Sequence, residues 1–130
     1  METGGDDMEK YSIVIELQEE GLGRIAVQPA WEHLRGRIGY ALRSAKVTPG
    51  IELVSRETFE GLEKLMAELP EQARRVGHLF MHSAFVWDEG EEHLLVPAAL
   101  LEYAGIRQQA VLLAGEDLVA LCSPETAEKY

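Results

Sequence analysis

The chain repeats itself at a fixed interval. Ser55-Arg56-Glu57-Thr58-Phe59-Glu60 matches Ser123-Pro124-Glu125-Thr126-Ala127-Glu128, 68 positions later (123 − 55). Pro29-Ala30 and Pro97-Ala98 stand at the same interval, as do Ile38 and Ile106, Leu53 and Leu121, and the acids Glu20 and Asp88. An interval that holds from Glu20 to Glu60 predicts one supersecondary unit used twice, its copies packed about a pseudo-two-fold axis. In a chain of 130 residues each copy has about 60 to 70 residues. An isolated core is marginal at that length, so the halves are expected to stabilise each other. The repeat argues against most single-site enzyme folds and for a symmetric scaffold that works through assembly.

Local pattern supplies the elements of each copy. Tyr11 to Leu17 is rich in β-branched residues and reads as a strand, and Arg24 to Gln28 reads as a second. Gln18 to Gly23 between them is a turn. Pro29 opens a helix over Ala30 to Arg35, because proline fits the first helical turn, where its missing N–H costs nothing. Strands follow near Tyr40 to Lys46 and Ile51 to Val54, separated by Thr48-Pro49-Gly50. Ser55 is a good N-cap, and the helix after it carries Phe59, Leu62, Leu65, Met66 and Leu69 on one face. Pro70 stops it. A connecting helix is expected over Glu71 to Ser83.

The second copy runs in the same order. Phe85-Val86-Trp87 is a strand, Asp88 to Glu92 a turn, His93 to Val96 a strand and Pro97 to Tyr103 a helix closed by Gly105. Ala110 to Ala114 and Leu118 to Cys122 form a hairpin across Gly115-Glu116-Asp117, and Ser123-Pro124 starts a last helix. The division expected is an acidic mobile tail over residues 1–10, a first repeat over 11–69, a connecting helix over 70–84 and a second repeat over 85–130. The first ten residues lack the order of a secretion signal, and no apolar run approaches the roughly 20 residues that span a bilayer.

Charge separates the copies. The net charge is −11, which opposes duplex binding, since that binding draws on Lys and Arg neutralising phosphates. Between Arg24 and Lys46 the cations are Arg24, Arg35, Arg37, Arg43 and Lys46, against Glu32 alone, a local balance of +4. Asp88-Glu89-Gly90-Glu91-Glu92 has a balance of −4. Two complementary patches on one chain are what a head-to-tail contact between subunits needs.

The run Val96-Pro97-Ala98-Ala99-Leu100-Leu101-Glu102-Tyr103-Ala104-Gly105-Ile106, followed by Ala110-Val111-Leu112-Leu113-Ala114-Gly115, resembles the second repeat of the MraZ family. Those proteins are bacterial transcription regulators encoded in the division and cell-wall gene cluster. Arg74-Arg75 with Leu79-Phe80-Met81 and Ala84 resembles the family's connecting helix, and Glu20-Gly21-Leu22-Gly23-Arg24-Ile25 its first loop. The similarity extends from Tyr11 to Tyr130. It implies an α+β fold with a mostly β core: a duplicated, pseudo-two-fold swapped-hairpin β-barrel of the AbrB/SpoVT type with flanking helices. It also implies a ring-shaped homo-oligomer, cytoplasmic and nucleoid-associated, that binds direct repeats in promoter DNA.

In that family an Asp-x-x-x-Arg loop in each repeat is linked with DNA contact. Carried over, the first loop gives Glu20 and Arg24, with Gly23 beside them. The second gives Asp88, with Glu92 at the arginine position, a degenerate loop flanked by Glu89 and Glu91. Arg35 and Arg37 extend the expected DNA-binding surface, with Arg43 and Lys46 beyond. The alternative for Arg24 is an ion pair with Glu20 that clamps the turn. For the whole chain the alternative is a diverged ring-former that has lost DNA binding and serves as a protein-interaction module.

The remaining candidates are weaker. His78 and His82 stand four apart on a helical stretch with Asp88 and His93 nearby in sequence, a set that can bind zinc but that most often is helix surface. Cys122 lies in an apolar strand and reads as a buried thiol. Trp31 and Trp87 read as core or interface anchors. There is no phosphate loop, GxSxG, HExxH or dinucleotide fingerprint, so no catalysis, cofactor, metal or small-molecule substrate is expected.

Overall fold

Short β-rich runs broken by Gly and Pro make most of the molecule antiparallel sheet. The computed structural model describes residues 8–18, 21–71 and 84–130. Strands β1 (Glu9–Val14), β2 (Glu16–Leu17) and β3 (Leu22–Ala26) lead into a 3-10 helical segment (Pro29–Arg37). Then come β4 (Tyr40–Arg43), β5 (Ile51–Val54), α1 (Arg56–Ala67), β6 (Ala84–Phe85) and β7 (His93–Pro97). Helix α2 (Ala98–Tyr103), β8 (Gln109–Ala114), β9 (Val119–Cys122) and α3 (Pro124–Ala127) complete the order. β1 starts at Glu9, inside the stretch expected to be tail.

The fold is α+β, with two antiparallel sheets. One has six strands in the order β1-β8-β9-β5-β4-β6, the other three in the order β2-β3-β7. This corrects the expected closed barrel. The strand expected over Tyr11 to Leu17 breaks at Ile15, which is buried, and the chain passes there from one sheet to the other. β1 and β6 are opposite edges of the six-stranded sheet and do not pair with each other, so it stays open.

The 68-residue interval is visible in the geometry. β5 and β9 stand at that interval and pair antiparallel, with Glu52 opposite Ala120 and Ile51 opposite Leu121. Glu52 therefore faces the residue that stands 68 positions after it. Both copies cap the following helix identically. Ser55 Oγ accepts from the Thr58 amide at 3.1 Å, and Ser123 Oγ from the Thr126 amide at 3.1 Å. Each serine hydroxyl also donates to the threonine hydroxyl, at 3.0 and 3.1 Å. Ser123→Ala is expected to cost about 1–2 kcal/mol and Ser55→Ala about 0.5–1, because the first cap is buried and the second exposed. Urea denaturation of the two variants measures the difference.

The copies do not make separate cores. β1 pairs with β8, β5 with β9 and β3 with β7, so both sheets contain strands of both copies. The main core draws Ile25, Trp31 and Leu53 from the first copy and Val86, Leu94, Leu112 and Leu121 from the second. Trp31 is fully buried, and it leaves helical geometry at φ −120°, ψ 22°. The expected helix after Pro29 is accordingly a kinked 3-10 segment. The helix after Ser55 forms as expected, but along it only Phe59 is buried, stacked on Tyr40 with ring centroids 4.0 Å apart. Leu65 and Leu69 of its apolar face are exposed. The expected connecting helix, with His78 and His82, falls on residues 72–83, outside the described residues. Among the described residues no helix is long and apolar enough to cross a membrane.

Candidate nucleic-acid interface

Both candidate loops are tips of hairpins that meet in the three-stranded sheet. In the first, β2 and β3 pair with Glu16 directly opposite Arg24. The Gln18 amide donates to Leu22 O at 2.7 Å, and Gly21 at φ +79° makes the reversal that a side-chain-bearing residue rarely adopts. Glu20 lies outside the described residues. Opposite residues of an antiparallel pair project to the same face, so Arg24 meets Glu16. Its Nε and Nη2 both donate to Glu16 Oε1, at 3.0 and 2.6 Å. The acid that holds Arg24 therefore faces it across the ladder, and as an exposed pair it is worth at most about 1 kcal/mol.

Gly23 has a different task. It is buried, and a Cβ there would lie 2.7 Å from Leu101 Cδ1 and 2.8 Å from Ile15 Cγ2. It lets α2 pack against the sheet from the inner side and presents nothing to a ligand.

Alternation sorts the rest of this sheet. Ile25, Leu94 and Val96 point inward and are buried. Leu22 pairs with Pro97, Arg24 with Leu95 and Ala26 with His93, and all six lie on the outer, solvent-facing side. The outer face centred on Arg24 is thus bordered by Leu22, Leu95 and Pro97 and not by further arginines.

The second hairpin is built around Asp88. Its Oδ1 accepts from the Glu92 and His93 amides at 3.0 and 3.3 Å, and its Oδ2 lies 2.9 Å from His93 Nδ1. Glu91 takes the left-handed conformation, φ +55°. The side chain that meets the acid of this hairpin is His93, one residue beyond Glu92, to which the loop motif carries the arginine position. Glu92 contributes its backbone, its carbonyl accepting from the Val27 amide at 3.1 Å. Each hairpin therefore carries one side-chain pair made by a carboxylate, Glu16 with Arg24 and Asp88 with His93. The sequence holds a signal common to both acids, of which the loop motif points to Asp88 alone. Each ends an apolar triplet, Ile13-Val14-Ile15-Glu16 and Phe85-Val86-Trp87-Asp88.

Burial works against the Asp88 carboxylate, but the hydrogen bonds from the His93 ring and from the His93 and Glu92 amides outweigh it. The carboxyl consequently lies below its ordinary value of 3.8. A depressed carboxyl contributes stability above its unfolded value that is lost as pH falls through the folded value. The native protein is expected to lose turn stability from about pH 4 downwards, and Asp88→Asn to be less stable at neutral pH but flatter over that range. Thermal melts of both proteins between neutral pH and about pH 3 read this directly.

The other predicted contacts are engaged within the chain. Arg35 Nε donates to Glu32 Oε1 at 2.7 Å and Nη1 to Glu91 O at 2.6 Å, while its guanidinium lies 4.7 Å from the Trp87 ring centroid. The contact foreseen between basic and acidic segments of neighbouring subunits is made in this instance inside one chain. Glu32 holds the Arg35 guanidinium above its ordinary value, and Glu32 itself lies below its own through the same hydrogen bond. Arg37 Nη2 donates to Glu116 O at 3.1 Å, and Arg43 lies 4.6 Å from the Tyr103 ring centroid. Trp87 Nε1 donates to Ile38 O at 2.6 Å. Burial, opposed only by Lys10, pushes the Cys122 thiol up to about 11, which makes it a poor nucleophile at neutral pH. No group of three or more metal-binding side chains occurs among the described residues. No model of a known protein family matches this chain, and no curated protein is similar to it.

Proposed function

We propose that this chain is a diverged MraZ-like module, a duplicated swapped-hairpin scaffold that self-assembles into a ring and acts through protein contacts. The observation that carries this reading is the outer face of the three-stranded sheet. Its one arginine is neutralised by Glu16, its other outer positions are Leu22, Ala26, His93, Leu95 and Pro97, and the adjoining turn is acidic. A duplex needs several unpaired cations on one face, with Arg or Lys reaching base edges, and a carboxylate-rich turn repels the phosphates.

A second reading is a sequence-specific DNA-binding regulator acting on promoter direct repeats. It is favoured by the Arg24 guanidinium, whose side chain remains 41% exposed despite its partner, and by the resemblance of the first loop. Ring avidity then multiplies one weak loop per subunit. Binding to the protein's own upstream DNA at low and moderate salt, beside Arg24→Glu, separates the two. The interaction module gives no sequence preference and no response to the substitution. Tight, salt-dependent binding that Arg24→Glu abolishes replaces it with the regulator. Light scattering tests assembly separately, and a sole species of 14.5 kDa refutes the ring in both readings.

A further inference from the structure

Resting on the reading as an interaction module, we infer that the outer face of the three-stranded sheet docks an amphipathic, lysine- or arginine-bearing segment of another protein. The face has apolar positions beside Arg24 and an acidic turn at one end. Leu22, Leu95 and Pro97 supply the apolar positions, on strands paired so that Leu22 meets Pro97 and Leu95 meets Arg24. Each is half-buried by its neighbours, which leaves a shallow apolar surface instead of a pocket. Glu16 lies along one edge, and the turn carrying Glu89, Glu91 and Glu92 leads into His93 at one end. These three carboxylates are exposed.

Charge complementarity selects the occupant. An apolar segment edged by carboxylates would meet the turn carrying Glu89, Glu91 and Glu92 with like charge, which costs affinity and slows encounter. A segment edged by Lys or Arg gains on both counts. Arg24 at the centre does not oppose it, because Glu16 already neutralises the guanidinium. Asp88 holds the second hairpin against His93, so the apolar and acidic parts keep a fixed spacing without the partner. Arg35 and Arg37 of a second copy are less suited to this role, being tied to Glu32, Glu91 and Glu116.

The test is residue-resolved titration of the 15N-labelled full chain with four probes. The first is an amphipathic leucine–lysine peptide of about 14 residues, long enough to form a helix on a surface. The second keeps its lysines but replaces its leucines by glutamine. The third replaces its lysines by glutamate, and the fourth is a short DNA duplex. The first alone is expected to shift the amides of Leu22, Arg24 and Leu95. Leu95→Asp is expected to weaken it by about tenfold, and Leu22→Gln to weaken it in the same direction. The inference is overturned if the lysine–glutamine peptide binds equally, if the shifts map elsewhere, or if folded Leu95→Asp and Leu22→Gln bind as the native chain does. Failure of the peptide with no response to duplex removes this inference and leaves the proposed module standing. A duplex that shifts the Arg24 hairpin overturns both.

Discussion

Leu121→Ala is expected to destabilise the protein by about 2–5 kcal/mol, the range for a fully buried leucine emptied into a close-packed core. Leu121 has no exposed surface, and it stands in β9 between Leu112 of β8 and Ile51 of β5. It thus sits where the two copies join, beside the Glu52–Ala120 pair. Folded domains have about 5–15 kcal/mol in total, so the loss is a large share. Because β9 pairs with β5 of the first copy and β8 of the second, the cavity is felt on both sides of the join. Trp31 reports on the first copy and Trp87 on the second, which makes the cooperativity measurable. Urea unfolding followed by far-UV circular dichroism and by fluorescence of variants retaining one tryptophan each should give coincident transitions, all shifted to lower urea in Leu121→Ala. Separate transitions for the two tryptophans would show that the copies fold independently.

Gly23→Val is expected to be comparably damaging, by overfilling instead of emptying. A single Cβ already lies under 3 Å from both Leu101 Cδ1 and Ile15 Cγ2, and both neighbours are buried. Leu101 can turn its terminal methyl, but Ile15 Cγ2 is attached at a branched Cβ and has little freedom. Overpacking of this kind costs typically about 1–3 kcal/mol, and valine adds two further methyls to the clash. Gly23→Ala should fall at the low end. Combining it with Leu101→Ala should cost less than the two single losses together, since the smaller side chain makes room. Thermal melts of the four proteins decide it. A melt unchanged in Gly23→Val would restore Gly23 to the ligand-facing role that its place beside Arg24 suggests in sequence.

These two positions show how far residue patterns reach. Leu121 lies in an apolar run at the repeat interval, so its burial is readable from local periodicity. The β5 and β9 strands, the Ser55 and Ser123 caps and the turn at Asp88 are readable for the same reason, because short-range chemistry specifies them. Gly23 is adjacent to Arg24 in sequence and was grouped with it, yet strand alternation sends the two to opposite faces. The acid that holds Arg24 was sought four residues away and lies eight away, across the ladder. The loop motif does not pair Asp88 with His93, because a motif counts residues along the chain, whereas a contact across a hairpin depends on register. The open sheet in place of a barrel follows from the break at Ile15, which no composition signal marks.

By itself, the sequence determined the 68-residue interval, the strand-rich composition, the helix caps and the opposed charges of the 24–46 and 88–92 segments. All of these arise from interactions within a few residues or from direct comparison of one stretch with another. Only the tertiary structure decided that the copies share their sheets, that Arg24, Arg35 and Arg37 are each held within the chain, and that apolar residues surround Arg24. Those outcomes depend on which strands become neighbours and in what register. A shift of one residue there exchanges the inner and outer faces while leaving every local propensity unchanged.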